Sequence, residues 1–223
     1  MDEVTESERS GVLAEVDVHT HTVISGHAFS TLLENIAYGK RAGLKGLVIT
    51  EHGPATPGGA PAFIPHSQSG LPQMVEGLRI YNGAEINILD SAGTLDIPKK
   101  YRLYLDFALA SLHIESCTPS TVDENTAAMI NALSDPCVDT IAHPENPSFQ
   151  IDVEALVNAA KRLNKCLELN NHSSCIRAEG MPTAYRMIAL CKEKGVRLTL
   201  GSDAHLASMV GDFSSAARIL RDT

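Results

Sequence analysis

Two histidines, His19 and His21, close the segment 17–21 at the end of an apolar run near the start of the chain. Side chains alternate faces along a β-strand, so these two imidazoles point the same way and lie close together. Neutral imidazole is a frequent protein ligand of zinc and related ions, so the pair is suited to bind one metal ion. The plain alternative is a pair of exposed or hydrogen-bonded histidines, because a short His-x-His motif also arises by chance.

Further ligand-type residues follow the ends of later apolar runs. They are His52, Glu85, His113, His143 and the pair Asp203 and His205, while His27 comes soon after the first pair. From His21 to His143 the successive steps are 31, 33, 28 and 30 residues, each about one β/α unit. Six of the nine histidines belong to this strand-end set and His27 is a seventh, so chance becomes the weaker explanation.

The number of these side chains exceeds the roughly four to six ligands that one ion needs, which favours two or three ions. At least one carboxylate should then bridge two ions, and Glu85, in the middle of the series, is the candidate. Clustered ions of this kind bind phosphate esters and lower the pKa of a bound water, so that hydroxide forms near neutral pH. The pattern therefore predicts hydrolysis of phosphate esters.

Alternating strands and helices are needed to bring these residues together. The runs that favour strands are 15–22, 46–50, 78–87, 106–113, 138–143, 166–171 and 196–200, and those that favour helices are 30–41, 126–133, 152–164, 182–194 and 214–221. Ser30 or Thr31 is a candidate N-cap of the first helix, with Glu34 at capping-box spacing, and Asp152 is the candidate N-cap of the helix at 152–164. Parallel β/α units are predicted, and in a parallel barrel all C-terminal strand ends open on one face. The Pro- and Gly-rich segment 54–70 lacks such a pattern and is a candidate active-site loop.

Composition is that of a globular protein, with 43% hydrophobic and 20% charged residues among 223. We expect a disordered polar tail at 1–14, without a signal peptide, and a single domain at 15–223. The net charge of −9 argues against a membrane-surface protein or a binder of extended nucleic acid. Five scattered cysteines, with no apolar run long enough to span a membrane, indicate reduced thiols and a cytoplasmic location.

These motifs resemble those of the PHP family (polymerase and histidinol phosphatase domain). The matching segments are 17–21, His27, 50–53, 83–85, 111–113, 142–144 and 201–205, and the similarity runs from about Glu15 to the last helix. With Leu169, Asn170 and Asn171, their order and spacing look most like the YcdX-like branch of stand-alone phosphatases. Chains of that branch tend to continue past the final helix, whereas this sequence stops at Thr223, which bears on oligomer contacts and not on the metal site.

The resemblance implies an α/β fold, a distorted (β/α)7 TIM-like barrel, with a trinuclear metal centre at the C-terminal ends of the strands. It implies three divalent ions per chain, with zinc favoured and manganese or iron as alternatives. By resemblance, His19, His21, Glu85 and Asp203 hold the first ion. Glu85, His113 and His143 hold the second ion, and His27, His52 and His205 hold the third.

The expected function is that of a metal-dependent phosphatase (a phosphoric monoester hydrolase) for small phosphomonoesters, acting by a metal-bridging hydroxide. Its catalytic residues are predicted to be Glu85, Asp203 and His205, with Asp203 or a nearby histidine shuttling the proton. Three alternatives stay open: a phosphodiesterase or nuclease with the same centre, a histidinol-phosphatase, and a non-catalytic PHP module. No motif indicates a homo-oligomer, and none argues against one.

Residues around the predicted ligands have secondary roles. Arg177, after the sixth strand, is a candidate for binding the substrate phosphate in a bidentate manner. Glu51 and Glu168 are candidates for orienting the imidazoles, although alternation turns Glu51 away from His52. His172 lies loosely at the end of the strand that lacks an obvious ligand.

Overall fold

A computed structural model describes residues 14–223 of the chain. The disordered tail predicted for residues 1–14 therefore lies outside the described residues, apart from Ala14. This residue packs, partly buried, against a hydrophobic cluster that contains Leu44 and Leu47. Strand and helix alternate regularly from there onward.

Eight strands within the described residues form one sheet. They are β1 (Val16–Thr20), β2 (Gly46–His52), β3 (Met74–Val75), β4 (Leu78–Asn87), β5 (Phe107–Ser111), β6 (Thr140–Ile141), β7 (Cys166–Asn170) and β8 (Leu198–Gly201). Seven strands are parallel in the order β1-β2-β4-β5-β6-β7-β8, and β3 pairs with β4 in antiparallel fashion. The sheet closes because Thr20 bridges to Ala204, and the amide of Asp203 donates to the carbonyl of His19 at 2.8 Å. The predicted distorted (β/α)7 barrel is confirmed.

Eight α-helices lie within the described residues, and some of their ends match local sequence signals. They are α1 (Leu32–Arg41), α2 (Ile64–Gln68), α3 (Lys99–Arg102), α4 (Val122–Leu133), α5 (Val153–Leu163), α6 (Asn171–Ile176), α7 (Met181–Lys194) and α8 (Ser214–Asp222). Thr31 and Glu34 form a capping box at the start of α1. Asp152 caps α5 by accepting hydrogen bonds from the amides of Glu154 and Ala155.

Helix α4 begins at Val122 and not at 126 as predicted, because Thr121 and Glu124 form a capping box there. Helices α3 and α6 were not predicted.

Other segments also differ from the sequence-based prediction. The strand predicted at 138–143 is reduced to β6, because the backbone of His143 has a φ of 31°, in the left-handed region, and leaves the strand geometry. The segment 54–70 contains α2, where Pro65 stands in the first helical turn. A proline is tolerated there, since the missing N–H would have no partner within the helix.

Packing of helices against the sheet holds the strand ends in place. The larger hydrophobic cluster joins β6 to α4, α5 and α7 through residues such as Ile141, Leu133, Leu156 and Met187. A second cluster joins β2 and α1 through Leu47 and Ile36. In the part of the chain that is described, no helix combines the length and apolar character needed to cross a membrane.

Candidate metal centre

The nine predicted ligand residues meet at the C-terminal face of the barrel. Burial decreases outward: His19, His21 and Glu85 are fully buried, His52, His143 and Asp203 are nearly so, His113 and His205 are half-buried, and His27 is exposed. Residues separated by more than a hundred positions in the chain thus form one cluster. Its depth indicates an inner part shielded from water and an outer part open to solvent.

Glu85 lies at the middle of the cluster, at the end of β4. Its Oε1 lies 2.8 Å from Nε2 of His143 and 3.2 Å from Nε2 of His113. Its Oε2 lies 2.7 Å from Nδ1 of His52 and 3.3 Å from Nε2 of His19. The two oxygens of one carboxylate therefore face two different sets of imidazoles.

Asp203 contacts the same pair of histidines, His19 and His21, that Glu85 contacts. Its Oδ1 lies 3.2 Å from Nε2 of His21, 3.6 Å from Nε2 of His19 and 3.5 Å from Nδ1 of His205. At the outer edge, Nε2 of His205 and Nε2 of His27 are 3.0 Å apart. The cluster is therefore continuous from the barrel interior to the surface.

Several buried polar atoms of the cluster have no partner in hydrogen-bond geometry, even where, as between Glu85 and His52, another polar atom is close. They are Nε2 of His19, Nε2 of His21, both ring nitrogens of His52, Oε2 of Glu85 and Nδ1 of His143. A buried polar group without a partner costs about 1–3 kcal/mol, so such a concentration requires an explanation. Lone pairs that converge on common points suit metal ions, and the residues fit the implied group.

Three groups of described residues have ligand atoms within 4.8 Å of one another and can hold a metal ion. They are His21, His52 and His205; His19, His21 and Glu85; and His52, Glu85 and His113. The second group agrees with the first ion implied by the resemblance. In the other two groups, His52 lies between the inner and outer ligands and faces Glu85 as well as His205.

The electrostatics of the cluster favour ionised carboxylates. Burial opposes the charge on Glu85, yet the nearby His52, His113 and His19 hold the pKa of that carboxyl well below its usual value. Burial likewise opposes charge on Asp203, and His19 and His21 keep its pKa well below the usual value. Both carboxylates are therefore negative at neutral pH and available to cations.

Two residues of the cluster have strained backbones. Among residues 14–223, four non-glycine residues have a positive φ, and His143 (31°) and Asp203 (56°) are two of them. Such conformations cost of the order of 1–3 kcal/mol and persist where surrounding contacts hold them. The amide of His143 donates to Glu168 at 2.9 Å, and that of Asp203 donates to His19. The strain lies where the cluster needs the side chains directed inward.

Glu168 and Glu51 support the imidazoles from behind. Nδ1–H of His19 donates to Oε1 of Glu168 at 2.8 Å, which leaves Nε2 directed at the cluster. Glu51 faces away from His52, as strand alternation predicted, and accepts a hydrogen bond from the hydroxyl of Ser25. That hydroxyl accepts from the amide of His52 at 3.1 Å and lies 3.4 Å from Nδ1 of His21. Glu51 thus acts on the histidines through Ser25.

Glu168→Gln is expected to lower kcat/KM about 10–100-fold, because the amide cannot accept from both His19 and the backbone of His143. Steady-state kinetics with p-nitrophenyl phosphate, together with metal analysis, measure the effect. Glu154→Gln, an exposed change on α5, is the matched control and should match wild type. Equal activity of both variants would remove Glu168 from the support of His19.

A cavity of about 490 Å³ opens above the cluster. Besides cluster residues, it is lined by Thr56, Pro57, Glu115, His172, Ile176 and Arg177. Arg177, the candidate for binding phosphate, lies on the wall of this cavity, and its Nη1 donates to the hydroxyl of Ser173 at 3.0 Å. Sequence reasoning did not single out Glu115, and it left His172 outside the ligand set although its position after β7 was a signal.

Known bacterial proteins are similar to this chain over most of its length. No family model matches the chain. A probable phosphatase of Clostridium novyi is 42% identical over 206 residues, covering 92% of this chain and 84% of that protein. One of Caldanaerobacter subterraneus is 44% identical over 209 residues, covering 93% and 82%.

Solved structures with low sequence identity share the fold. Histidinol phosphate phosphatase of Lactococcus lactis, solved with zinc, L-histidinol and phosphate, gives a TM-score of 0.65 at 16% identity and covers 93% of both chains. A putative histidinol phosphatase of Listeria monocytogenes gives 0.62 at 14% identity, covering 90% of this chain and 99% of that one.

The parallel barrel with imidazoles and carboxylates at its strand ends defines a PHP-like, metal-dependent phosphatase. The chain belongs to the family of bacterial probable phosphatases that these relatives represent.

Proposed function

We propose that the protein hydrolyses small phosphomonoesters at a centre of three divalent metal ions. The proposal depends above all on Glu85, whose Oε1 is directed at His113 and His143 and whose Oε2 is directed at His52 and His19. Because each oxygen of a carboxylate carries its own lone pairs, Glu85 is suited to bridge two ions. The predicted ligands of those ions lie on either side of it.

The ligand sets we assign are those implied by the family resemblance. They are His19, His21, Glu85 and Asp203; Glu85, His113 and His143; and His27, His52 and His205. Imidazole-rich sites suit zinc, and the Lactococcus lactis neighbour was solved with zinc, so we favour it over manganese or iron.

The chain's own residues supply binding and proton transfer around the ions. When bound, the ions supply positive charge that neutralises phosphoryl oxygens and activates water as the nucleophile. Arg177, on the cavity wall, offers a planar fork of donors to the remaining phosphate oxygens. We assign Asp203 or His205, which line the cavity, to take a proton from the attacking water and pass it to the leaving oxygen.

Small substrates are favoured by the size and charge of the protein. The cavity of about 490 Å³ accommodates a phosphorylated metabolite, and the net charge of −9 disfavours a long polyanion.

We assign the chain to the YcdX-like branch on the motif after β7. Asn170 caps α6 by accepting from the amide of Ser173 at 2.8 Å, and its Nδ2 donates to Asp203 at 3.3 Å. Asn171 accepts from the amides of Ser215 and Ala216, which ties α8 to the same turn. These contacts explain what the two amides hold in place, and the branch assignment itself depends on the sequence motif.

Two measurements on the same sample, purified without chelator, test the proposal. Mass spectrometry gives the metal content, and p-nitrophenyl phosphate gives the turnover. Near three metals per chain with turnover is the expected result. One metal or none, with no turnover after zinc or manganese is added, would contradict it. Faster turnover of bis(p-nitrophenyl) phosphate would shift the assignment to phosphodiesters.

Arg177→Lys is expected to raise KM for p-nitrophenyl phosphate about tenfold with a smaller effect on kcat, because lysine keeps the charge but loses the bidentate fork. Steady-state kinetics and inhibition by inorganic phosphate measure the change. Arg186→Lys, at an arginine exposed on α7, is the control. An unchanged KM and phosphate inhibition constant would remove Arg177 from the phosphate site.

Histidinol phosphate is the second candidate substrate, and the position of Glu115 favours it. This carboxylate lines the cavity, and within residues 14–223 it has no ion pair, so it is free to bind a cationic group of the substrate. A phosphate ester of an amino alcohol should then have a higher kcat/KM than a neutral ester of the same length. Equal values would mean that Glu115 does not bind a cationic group of the substrate.

A further inference from the structure

Asn87, at the end of β4, contacts both the predicted metal ligand His113 and Thr56, which lies in a loop of the cavity wall. The side chain is fully buried. Its Oδ1 lies 2.8 Å from Nδ1 of His113 and accepts from the hydroxyl of Thr56 at 3.0 Å. Its Nδ2 donates to Oδ2 of Asp96 at 2.7 Å. A buried amide is costly without partners, and each polar atom of this one has a partner.

Asp96 fixes which way the Asn87 amide points. An ionised carboxylate only accepts hydrogen bonds, so the NH2 group of Asn87 must face Asp96 and the carbonyl oxygen must face His113. The backbone amides of Asn87 and Ala55 also donate to Asp96, each at 3.0 Å. The orientation of the amide therefore follows from the position of Asp96.

The orientation of Asn87 in turn fixes the tautomer of His113. A carbonyl oxygen at 2.8 Å requires the proton to be on Nδ1. Nε2 is then the nitrogen available to bind a metal ion, and it lies 3.2 Å from Oε1 of Glu85. This is the state that a metal-binding histidine needs.

The same carboxylate anchors the segment 53–57. Asp96 holds the amide of Ala55, and Asn87 holds the hydroxyl of Thr56, which lines the cavity together with Pro57. The carboxylate lies so close to Gly53 that any side chain there would collide with it. One pair of residues thus contacts both a metal-ligand candidate and the cavity wall.

We propose that Asp96 and Asn87 are positioning residues, which hold His113 as the Nδ1–H tautomer and anchor the segment 53–57 beside it. The inference rests on the proposed metal centre for its functional consequence. Its structural claim, the position of the proton on His113, stands apart from turnover.

Asn82 provides a matched control on the same strand. It is also buried, and its Nδ2 donates to the carbonyls of Pro65 and Tyr104, at 2.7 and 2.8 Å, away from the cluster. Asn82→Leu and Asn87→Leu therefore both remove a buried side-chain amide from β4. Loss of a partner of His113 is confined to the second variant.

The first readout is nitrogen NMR of histidine-labelled, zinc-loaded protein, with His113 assigned from a His113→Gln variant. Wild type should show an Nδ1 proton on His113 that is protected from exchange. Asn87→Leu should lose that protection, and Asn82→Leu should keep it. A proton on Nε2 of His113 in wild type would overturn the proposal whatever the activity is.

The second readout is zinc affinity by chelator competition, with melting curves to establish folding. Asn87→Leu should weaken the zinc site at His113 about 10–100-fold relative to Asn82→Leu. Equal zinc affinity in these two folded variants would overturn the proposal. If wild-type protein bound no metal and had no turnover, the proposed function would be refuted. If His113 in that protein were still protonated on Nδ1, the positioning claim would remain supported.

A charge-swapped pair tests the orientation argument. Asn87→Asp places two carboxylates together and should weaken zinc binding. Adding Asp96→Asn restores a donor opposite an acceptor, so the double variant should recover at least part of the zinc affinity. An additive loss in the double variant would overturn the role assigned to Asp96.

Discussion

Glu85→Gln is expected to lower kcat/KM for p-nitrophenyl phosphate about a thousandfold, which corresponds to roughly 4 kcal/mol of transition-state stabilisation. Glutamine has the same shape but no charge, and only one of its two terminal atoms can bind a metal ion. Both oxygens of Glu85 lie within 3.5 Å of imidazoles from different strands, so one substitution affects both sides of the cluster. About two ions should be lost together.

Metal stoichiometry decides whether Glu85 bridges. Mass spectrometry of Glu85→Gln should find about one metal per chain, against about three in wild type under the proposed assignment. Glu85→Asp keeps the charge on a shorter side chain and should retain more metal and more activity than the glutamine variant. Wild-type stoichiometry in a folded Glu85→Gln variant would show that Glu85 does not bridge two ions.

Sequence reasoning could find the cluster because a parallel barrel turns regular spacing into proximity. The steps of 28 to 33 residues between His21 and His143 match one β/α unit, and strand ends of parallel units share a face. Helix ends were also predictable, since Thr31 with Glu34 and Asp152 act on neighbouring amides. Such signals depend on local chemistry or on one repeated length.

Contacts between distant strands could not be derived in the same way. The hydrogen bond from His19 to Glu168 joins residues 149 positions apart, and it depends on strand order and register. Asp96, the partner of Asn87, lies between the predicted strands 78–87 and 106–113, and no sequence pattern indicated that the two side chains pair. The early end of β6 follows from the left-handed backbone of His143, which arises from contacts around the cluster and not from propensity.

Metal removal is the second change with a large expected effect. Dialysis against a strong chelator should lower Tm by about 20 °C or more, since each ion at a thousand times its Kd contributes about 4 kcal/mol. For a domain of this size, 1 kcal/mol corresponds to about 2–4 °C. Without ions, His19, His21 and His52 keep buried nitrogens that lack partners, next to the fully buried Glu85.

Calorimetry on the same preparation before and after chelation measures this effect, with metal loss verified by mass spectrometry. Restoring zinc should recover both Tm and turnover, which separates metal loss from irreversible damage. The chelator should shift Tm less in Glu85→Gln, because that variant has fewer ions to lose. An unchanged Tm after verified metal loss would mean that the buried imidazoles do not depend on metal for their place in the core. The cluster would then be stabilised by contacts of the ionised Glu85 and Asp203 with the imidazoles around them.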